Sequence, residues 1–150
     1  MSLGPVEHPK SVVAVYSGGI DSTVMLYSIR ELGIEIRGAL SVDYGQKHRK
    51  EIEVAAGVCR SLGIEHQVAN LSGTSGLFCH SGLVDSNLAV PEGHYEEESM
   101  KSTVVPNRNM ILISLATAWA ITKDAEAVAY AAHSGDHAIY PDCRESFASA

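Results

Sequence analysis

Ser17-Gly18-Gly19-Ile20-Asp21-Ser22 packs two glycines, two hydroxyls and a carboxylate into six residues. A glycine pair opens backbone angles closed to other residues and lets a ligand approach the main chain. Placed between a strand and a helix, the N–H groups of such a turn converge on one point, which suits an anion. Ser17, Ser22 and Thr23 add hydroxyl donors. The GK[ST] ending of an ordinary P-loop is missing, so no lysine is built in to reach a terminal phosphate. No GxGxxG occurs, which argues against a dinucleotide site. Asp21 stands where phosphates should lie, and a bridging Mg²⁺ resolves that repulsion. The plainer role for Asp21 and Ser22 is helix capping. The chemistry indicated is capture of a nucleotide's polyphosphate tail.

Three more segments carry groups of interest. In Asp43-Tyr44-Gly45-Gln46-Lys47-His48-Arg49, Tyr44 can stack on a flat heterocycle, while Gln46, His48 and Arg49 can handle a carboxylate. A strand end followed by a helix start explains Gly45 and Glu51 but not the Gln-Lys-His-Arg run. In Pro106-Asn107-Arg108-Asn109, Pro106 forbids helix before it and Asn107 or Asn109 can cap. Arg108 opposes the helix dipole there. A guanidinium can hold phosphate or carboxylate oxygens through two parallel bonds. The third segment holds His133-Ser134-Gly135-Asp136-His137 and Tyr140-Pro141-Asp142-Cys143-Arg144. Its His and Asp residues show no firm metal-ligand spacing. Cys143 reads as a plain thiol.

The elements that must position these residues alternate. Ser11–Tyr16 is a short apolar run of the kind a buried parallel strand shows. Ser22–Gly33 follows as a helix, with Leu26, Ile29 and Leu32 inward. Strands are expected over 35–42, 65–71 and 127–132. Helices are expected over 48–62, with Ile52, Ala55, Ala56, Cys59 and Leu62 on one stripe, and over 107–123, with Ile111, Leu112, Leu115, Ala116 and Trp119 inward. Pro141 and Asp142 open a last helix, with Asp142 as its alternative cap. Repeating strand–helix units imply right-handed crossovers and an α/β fold: a doubly wound, mostly parallel sheet with helices on both faces. Ligands in such sheets sit beyond the carboxyl ends of the strands. Residues 72–102, rich in Gly, Ser, His and Glu, break the rhythm and read as a lid.

At 150 residues the chain fits one domain, and 45% hydrophobic with 19% charged residues is ordinary globular composition. Three scattered cysteines, Cys59, Cys79 and Cys143, argue for reduced thiols in cytoplasm. The longest apolar stretch, 110–121, is too short to span a bilayer. A net charge of −7 favours a small-molecule substrate over nucleic acid. The only basic cluster is Lys47-His48-Arg49-Lys50.

SGGIDS resembles the loop of the PP-loop ATP pyrophosphatases (the HUP-like adenine-nucleotide alpha-hydrolase superfamily). Those enzymes transfer AMP to a carbonyl or carboxylate oxygen and let ammonia or sulfur displace it. Taken with DYGQKHRKEIE, VPNRNM and YPDCR in this order, the chain is similar to the 7-cyano-7-deazaguanine synthases of queuosine and archaeosine precursor synthesis. The similarity runs from about Val12 to the last residue. It implies an ATP-dependent ligase that makes 7-cyano-7-deazaguanine from 7-carboxy-7-deazaguanine and ammonia, through an adenylate and an amide. It implies ATP contacts from Tyr16, Ser17, Gly18, Gly19, Ile20, Asp21, Ser22 and Thr23, and from Ser41, Val42 and Asp43 around adenine and ribose. Asp21, Arg108 and Arg49 are the expected catalytic groups, with Asp21 holding Mg²⁺. The expected substrate contacts are Tyr44, Gln46, His48, Asn107, Asn109, Asp136, Tyr140, Asp142 and Arg144. Asp136 or Asp142 would accept from the guanine-like face.

The resemblance also implies homodimers and a C-terminal portion with four cysteines on a structural Zn²⁺. That cluster is missing here, so the chain is expected to be the front part of a longer unit. Sibling activities remain as alternatives: another amide-forming or tRNA-thiolating enzyme of this superfamily, or a non-catalytic nucleotide-binding module. Thiolation predicts a basic face and a cysteine pair, and the sequence shows neither.

Overall fold

Ser11, Val12, Val13, Ala14 and Val15 are all buried, as a strand covered on both faces requires. A computed structural model describes residues 7–44, 49–78, 105, 107–132 and 141–149. The buried run is β1 (Ser11–Val15), one of two interior strands of a sheet that also holds β2 (Glu35–Asp43), β3 (His66–Asn70) and β4 (Ala127–Ala129). The order is β3-β2-β1-β4 and every pairing is parallel. The chain runs one way from β1 to β3, then crosses to the far side of β1 for β4. The strand order therefore reverses between β1 and β4, which makes their carboxyl ends the switch point.

Alternation along β1 divides the core. Ala14 and Tyr16 join Leu26, Ala39, Ala55 and Cys59 beneath helices α1 (Ile20–Glu31) and α2 (Arg49–Leu62). Val13 and Val15 face the other way, with Leu40, Ala116 and Ala120 beneath α3 (Arg108–Thr122). A 3-10 turn, Pro141–Cys143, and a short helix α4 (Glu145–Ser149) follow. The doubly wound α/β expectation holds.

The three long helices end in one way. Gly33, Gly63 and Asp124 all take positive φ (73°, 68° and 54°) just past the last turn. In each case the next residue's N–H reaches back five positions: Ile34 to Ile29, Ile64 to Cys59, Ala125 to Ala120. This double-bonded reversal satisfies carbonyls that the helix leaves open. It also explains a correction. Leu32, expected inward, sits at the C-cap of α1 and is 57% exposed, because the chain turns away at Gly33.

Two more expectations need adjusting. The Ser72–Phe78 segment is a 3-10 turn rather than loop, and the rest of the expected lid lies outside the described residues. Strand β4 stops at Ala129, leaving 130–132 as the turn off its carboxyl end.

Gly38 fixes how close α3 can come. The β1–β2 register skips Arg37, a bulge, so that Val12 faces Ile36 and Val13 faces Gly38. An added Cβ at Gly38 would lie 2.5 Å from the Trp119 ring. The bulged Arg37 meanwhile donates to the carbonyls of Lys123 (3.0 Å) and Asp124 at the end of α3. Replacing Gly38 by Ala should destabilise the fold by about 1–3 kcal/mol through overpacking. Most of that loss should vanish when Trp119 is also replaced by Leu, which denaturant titration of both variants would measure.

Candidate active site

The SGGIDS segment turns between β1 and α1, as its sequence requires. Gly18 alone of the pair uses the glycine-only region, with φ 83°. Its Cα also presses on α2: a Cβ there would lie 2.5 Å from the Glu51 carbonyl oxygen. Gly19 is extended at φ −78°, ψ 171°, and serves as the N-cap of α1 without a side-chain cap. The amides of Ile20, Asp21 and Ser22 therefore open the helix with no preceding carbonyl in reach. Ile20 is 83% exposed, so this helix start faces outward.

Donor counting shows how the hydroxyls are arranged. Ser22 Oγ gives its one proton to the Gly19 carbonyl at 3.1 Å. Ser17 Oγ must then donate to Ser22 Oγ (3.1 Å) while accepting from the Gly19 N–H (3.3 Å). Gly19, Ser17 and Ser22 form a closed ring. Thr23 Oγ1 also donates to the Gly19 carbonyl, at 2.8 Å, and therefore accepts from the Tyr16 hydroxyl at 3.0 Å. Tyr16 is fully buried in the core under α1 and α2. Its ring and the Thr23 hydroxyl thus brace the turn from beneath.

A second network ties the turn to the sheet. Ser41 Oγ donates to the Tyr16 carbonyl at 2.6 Å and lies 2.8 Å from His66 Nε2. Because its proton is already given, Ser41 must accept from His66, which fixes the Nε2–H tautomer. Burial holds the His66 imidazole below its usual value.

Two adjoining cavities lie beyond the carboxyl ends of β2, β1 and β4. The larger, about 330 Å³, is lined by Tyr16, Ser17, Ser22, Ser41, Val42, Tyr44, Arg108 and Asn109 among the expected residues. The smaller, about 170 Å³, is lined by Ser17, Gly19, Ile20, Asp21, Ser22, Arg108 and Asn109. Arg108, the first residue of α3, stands on the wall common to both. Burial is the largest influence on the Tyr44 phenol, which is pushed up to about 12. The Arg108 charge pulls it down and the Asp142 charge pushes it up.

Some expected residues fall elsewhere. Gly18, Thr23, Asp43, Asn107, Asp142 and Arg144 line neither cavity. Asn107 occupies the N-cap position of α3 in the left-handed region and makes no side-chain capping bond. Asn109 does not cap either; its own N–H is capped by the Asp142 carboxylate at 2.7 Å. Asp142 therefore caps α3 rather than α4. Arg49 begins α2, but its side chain lies outside the described residues, as do Gln46, His48, Asp136 and Tyr140 altogether.

The sequence alone did not mark Val15, Leu40, Glu51, Ile52, Val105, Leu112, Tyr130, Ala131, Ala132 and Cys143 as site residues, and these complete the walls. A signal for 130–132 was present: these residues follow β4 at the edge where ligands gather. Extending the strand through them hid it. Among the described residues no three His, Cys, Asp or Glu side chains group as metal ligands. Asp21, the one carboxylate among the described residues lining the smaller cavity, is of a ligand type that suits Mg²⁺. That ion takes one or two carboxylates, with phosphate oxygens and water filling the remaining positions.

The family described as queuosine biosynthesis protein QueC matches residues 11–150 of this sequence. The chain belongs to that family. Curated QueC relatives include the 7-cyano-7-deazaguanine synthase of Alteromonas mediterranea, 55% identical over 138 residues (92% of this chain, 62% of the relative). The synthase of Marinobacter nauticus is 56% identical over 137 residues (91% of this chain, 61% of the relative). The chain thus spans about three-fifths of the length of the curated QueC relatives it matches. Among solved structures, an NH3-dependent NAD synthetase from Campylobacter jejuni superposes with a TM-score of 0.54 at 18% identity. The match covers 87% of this chain and 51% of the synthetase, a likeness of fold.

Two outcomes test this geometry. Gly18→Ala strains a positive φ and meets the α2 backbone, so it should destabilise the fold by about 1–3 kcal/mol in urea titration. The His66 prediction concerns pH. The unfolded imidazole takes up a proton near 6.5 while the folded one resists, so the unfolded state binds more protons. The His66 contribution to stability is therefore complete above that value and is lost as pH falls through it toward the lower folded pKa. Urea midpoints across that window should fall faster for the parent chain than for His66→Gln.

Proposed function

We propose that this chain carries the ATP-activating centre of a 7-cyano-7-deazaguanine synthase. The observation that supports this best is that Arg108 and Asp21 line one small cavity together with Ser17, Gly19 and Ser22 of the SGGIDS turn. A polyphosphate seated there would meet the opening amides of α1. Rotation of Ser17 and Ser22 would redirect two hydroxyl protons from the closed ring onto phosphate oxygens. The larger cavity would take the nucleoside, with Ser41 and Val42 from the end of β2 on its wall and the Tyr44 ring beneath.

The reaction is an acyl activation. A carboxylate oxygen of 7-carboxy-7-deazaguanine attacks the α-phosphorus of ATP, and pyrophosphate leaves. Ammonia adds to the adenylated carbonyl and expels AMP, giving the amide. The amide oxygen then attacks the α-phosphorus of a second ATP and expels pyrophosphate, and loss of AMP with the two N–H protons leaves the nitrile. Arg108, on the shared wall, would neutralise charge passing from the α-phosphate to the leaving group. Asp21 would hold Mg²⁺, which when bound withdraws electrons from pyrophosphate. Orientation and charge neutralisation are the protein's contribution, without a covalent nucleophile.

Tyr44 and Asn109 stand on the proposed substrate side, and Gln46, His48, Arg49, Asp136 and Tyr140 are proposed contacts whose side chains lie outside the described residues. A small-molecule substrate fits a cavity of this size and a net charge of −7. No helix among the described residues is long and apolar enough to cross a membrane. A cytoplasmic place is proposed with the same reading, as is pairing into homodimers.

Pyrophosphate release from ATP with 7-carboxy-7-deazaguanine and ammonium tests the proposal. Arg108→Ala and Asp21→Asn should each slow release by about 100-fold or more. Tight ATP binding with no release would leave a nucleotide module, and full activity in both variants would end the assignment of these two roles.

A further inference from the structure

Helix α3 opens without a cap of its own. Asn107 is left-handed at φ 56°, ψ 31°, and its side chain makes no capping bond. The first N–H groups of a helix have no carbonyl to reach, and that of Asn109 is buried. Its acceptor comes from 33 residues further along: Asp142 Oδ2, at 2.7 Å. Asn109 Nδ2 returns a bond to the Asp142 backbone carbonyl at 2.9 Å. Two bonds, each between a main-chain and a side-chain group, join two residues of 6% and 7% exposure. A carboxylate at this end also suits the positive pole of the helix.

We propose that Asp142 is a positioning residue, which caps α3 from outside the helix and so fixes where Arg108 stands between the two cavities. Arg108 is the first residue of α3 and directly precedes the clamped Asn109. A small rotation of that first turn would swing a guanidinium at the end of a long side chain out of the shared wall. Direct contact with a ligand is the competing role for Asp142, and its geometry speaks against it. Asp142 lines neither cavity, and one carboxylate oxygen is committed to the Asn109 amide. The neighbouring Cys143, held 3.6 Å from Asn109 Nδ2, does reach the smaller cavity. The clamp therefore sets two pieces of the wall at once.

The ATP arm of the test rests on the proposed function; the other arm does not. In the full chain, the Arg108 side-chain Nε–H resonance is assigned by its loss in Arg108→Ala. Asp142→Ala should shift or broaden that resonance and weaken Mg-ATP binding about tenfold. On the Arg108→Ala background the same change should cost no more than about twofold, because its effect passes through Arg108. Asp142→Asn keeps an oxygen for the Asn109 amide and should stay within about threefold of the parent. Should Asp142→Ala not fold, Asp142→Glu, which keeps the charge but displaces the oxygen, carries the same arms. Losses that multiply in the double variant, or an unmoved Arg108 resonance, overturn the proposal. If the parent chain binds no ATP, the nucleotide reading falls alone, and the resonance still decides the role of Asp142.

Discussion

Between Gly18 and the Glu51 carbonyl there is room for a hydrogen atom and nothing larger. That contact sets the height of the turn above the sheet. It brings the start of α2 against the turn, so that Glu51 and Ile52 wall the larger cavity. From below, the Tyr16–Thr23 bond and the ring through Gly19, Ser17 and Ser22 stop the turn from collapsing into its own helix. Main-chain amides are left facing outward as a consequence of packing on one side and hydroxyl bonding on the other. Preorganisation of this kind means the donors need not be rearranged when an anion arrives.

Charge at the start of α3 follows a different logic. An arginine at the first position of a helix is mildly disfavoured by the backbone dipoles around it. A buried carboxylate supplied from the 3-10 turn at Pro141–Cys143 offsets that cost while meeting a hydrogen-bond need of the same helix turn. Tyr44 lies close enough to feel both charges, and burial, the largest influence, pushes its phenol up to about 12.

Much of the architecture was legible from local pattern. Apolar runs located β1 to β4, the period of Ile52, Ala55 and Cys59 located α2, and glycines at 33 and 63 marked the helix ends. The turn itself was legible because glycines and hydroxyls have few other reasons to cluster between a strand and a helix. Side-chain direction was less so. Tyr16, expected among the nucleotide contacts, lines the larger cavity, while the two-residue period of β1 sets its side chain with Ala14 on the α1–α2 face. What no local rule could supply was long-range partnership. Nothing in the residues around Asn107 says that the cap of that helix comes from Asp142, and nothing near Gly38 announces Trp119. Asp124 took the left-handed terminal position that glycine fills elsewhere.

The position of β4 has a consequence for how the protein comes into being. β1 pairs with β2 across a short connection, but its other edge waits for Ala127–Ala129, more than a hundred residues downstream. Contacts so distant in sequence are slow to close. As the chain leaves the ribosome, the half that holds the SGGIDS turn can therefore assemble first, with one flank of β1 still bare. Only when the crossover lands does that strand lose its exposed edge, and only then do the two walls of the cleft face each other.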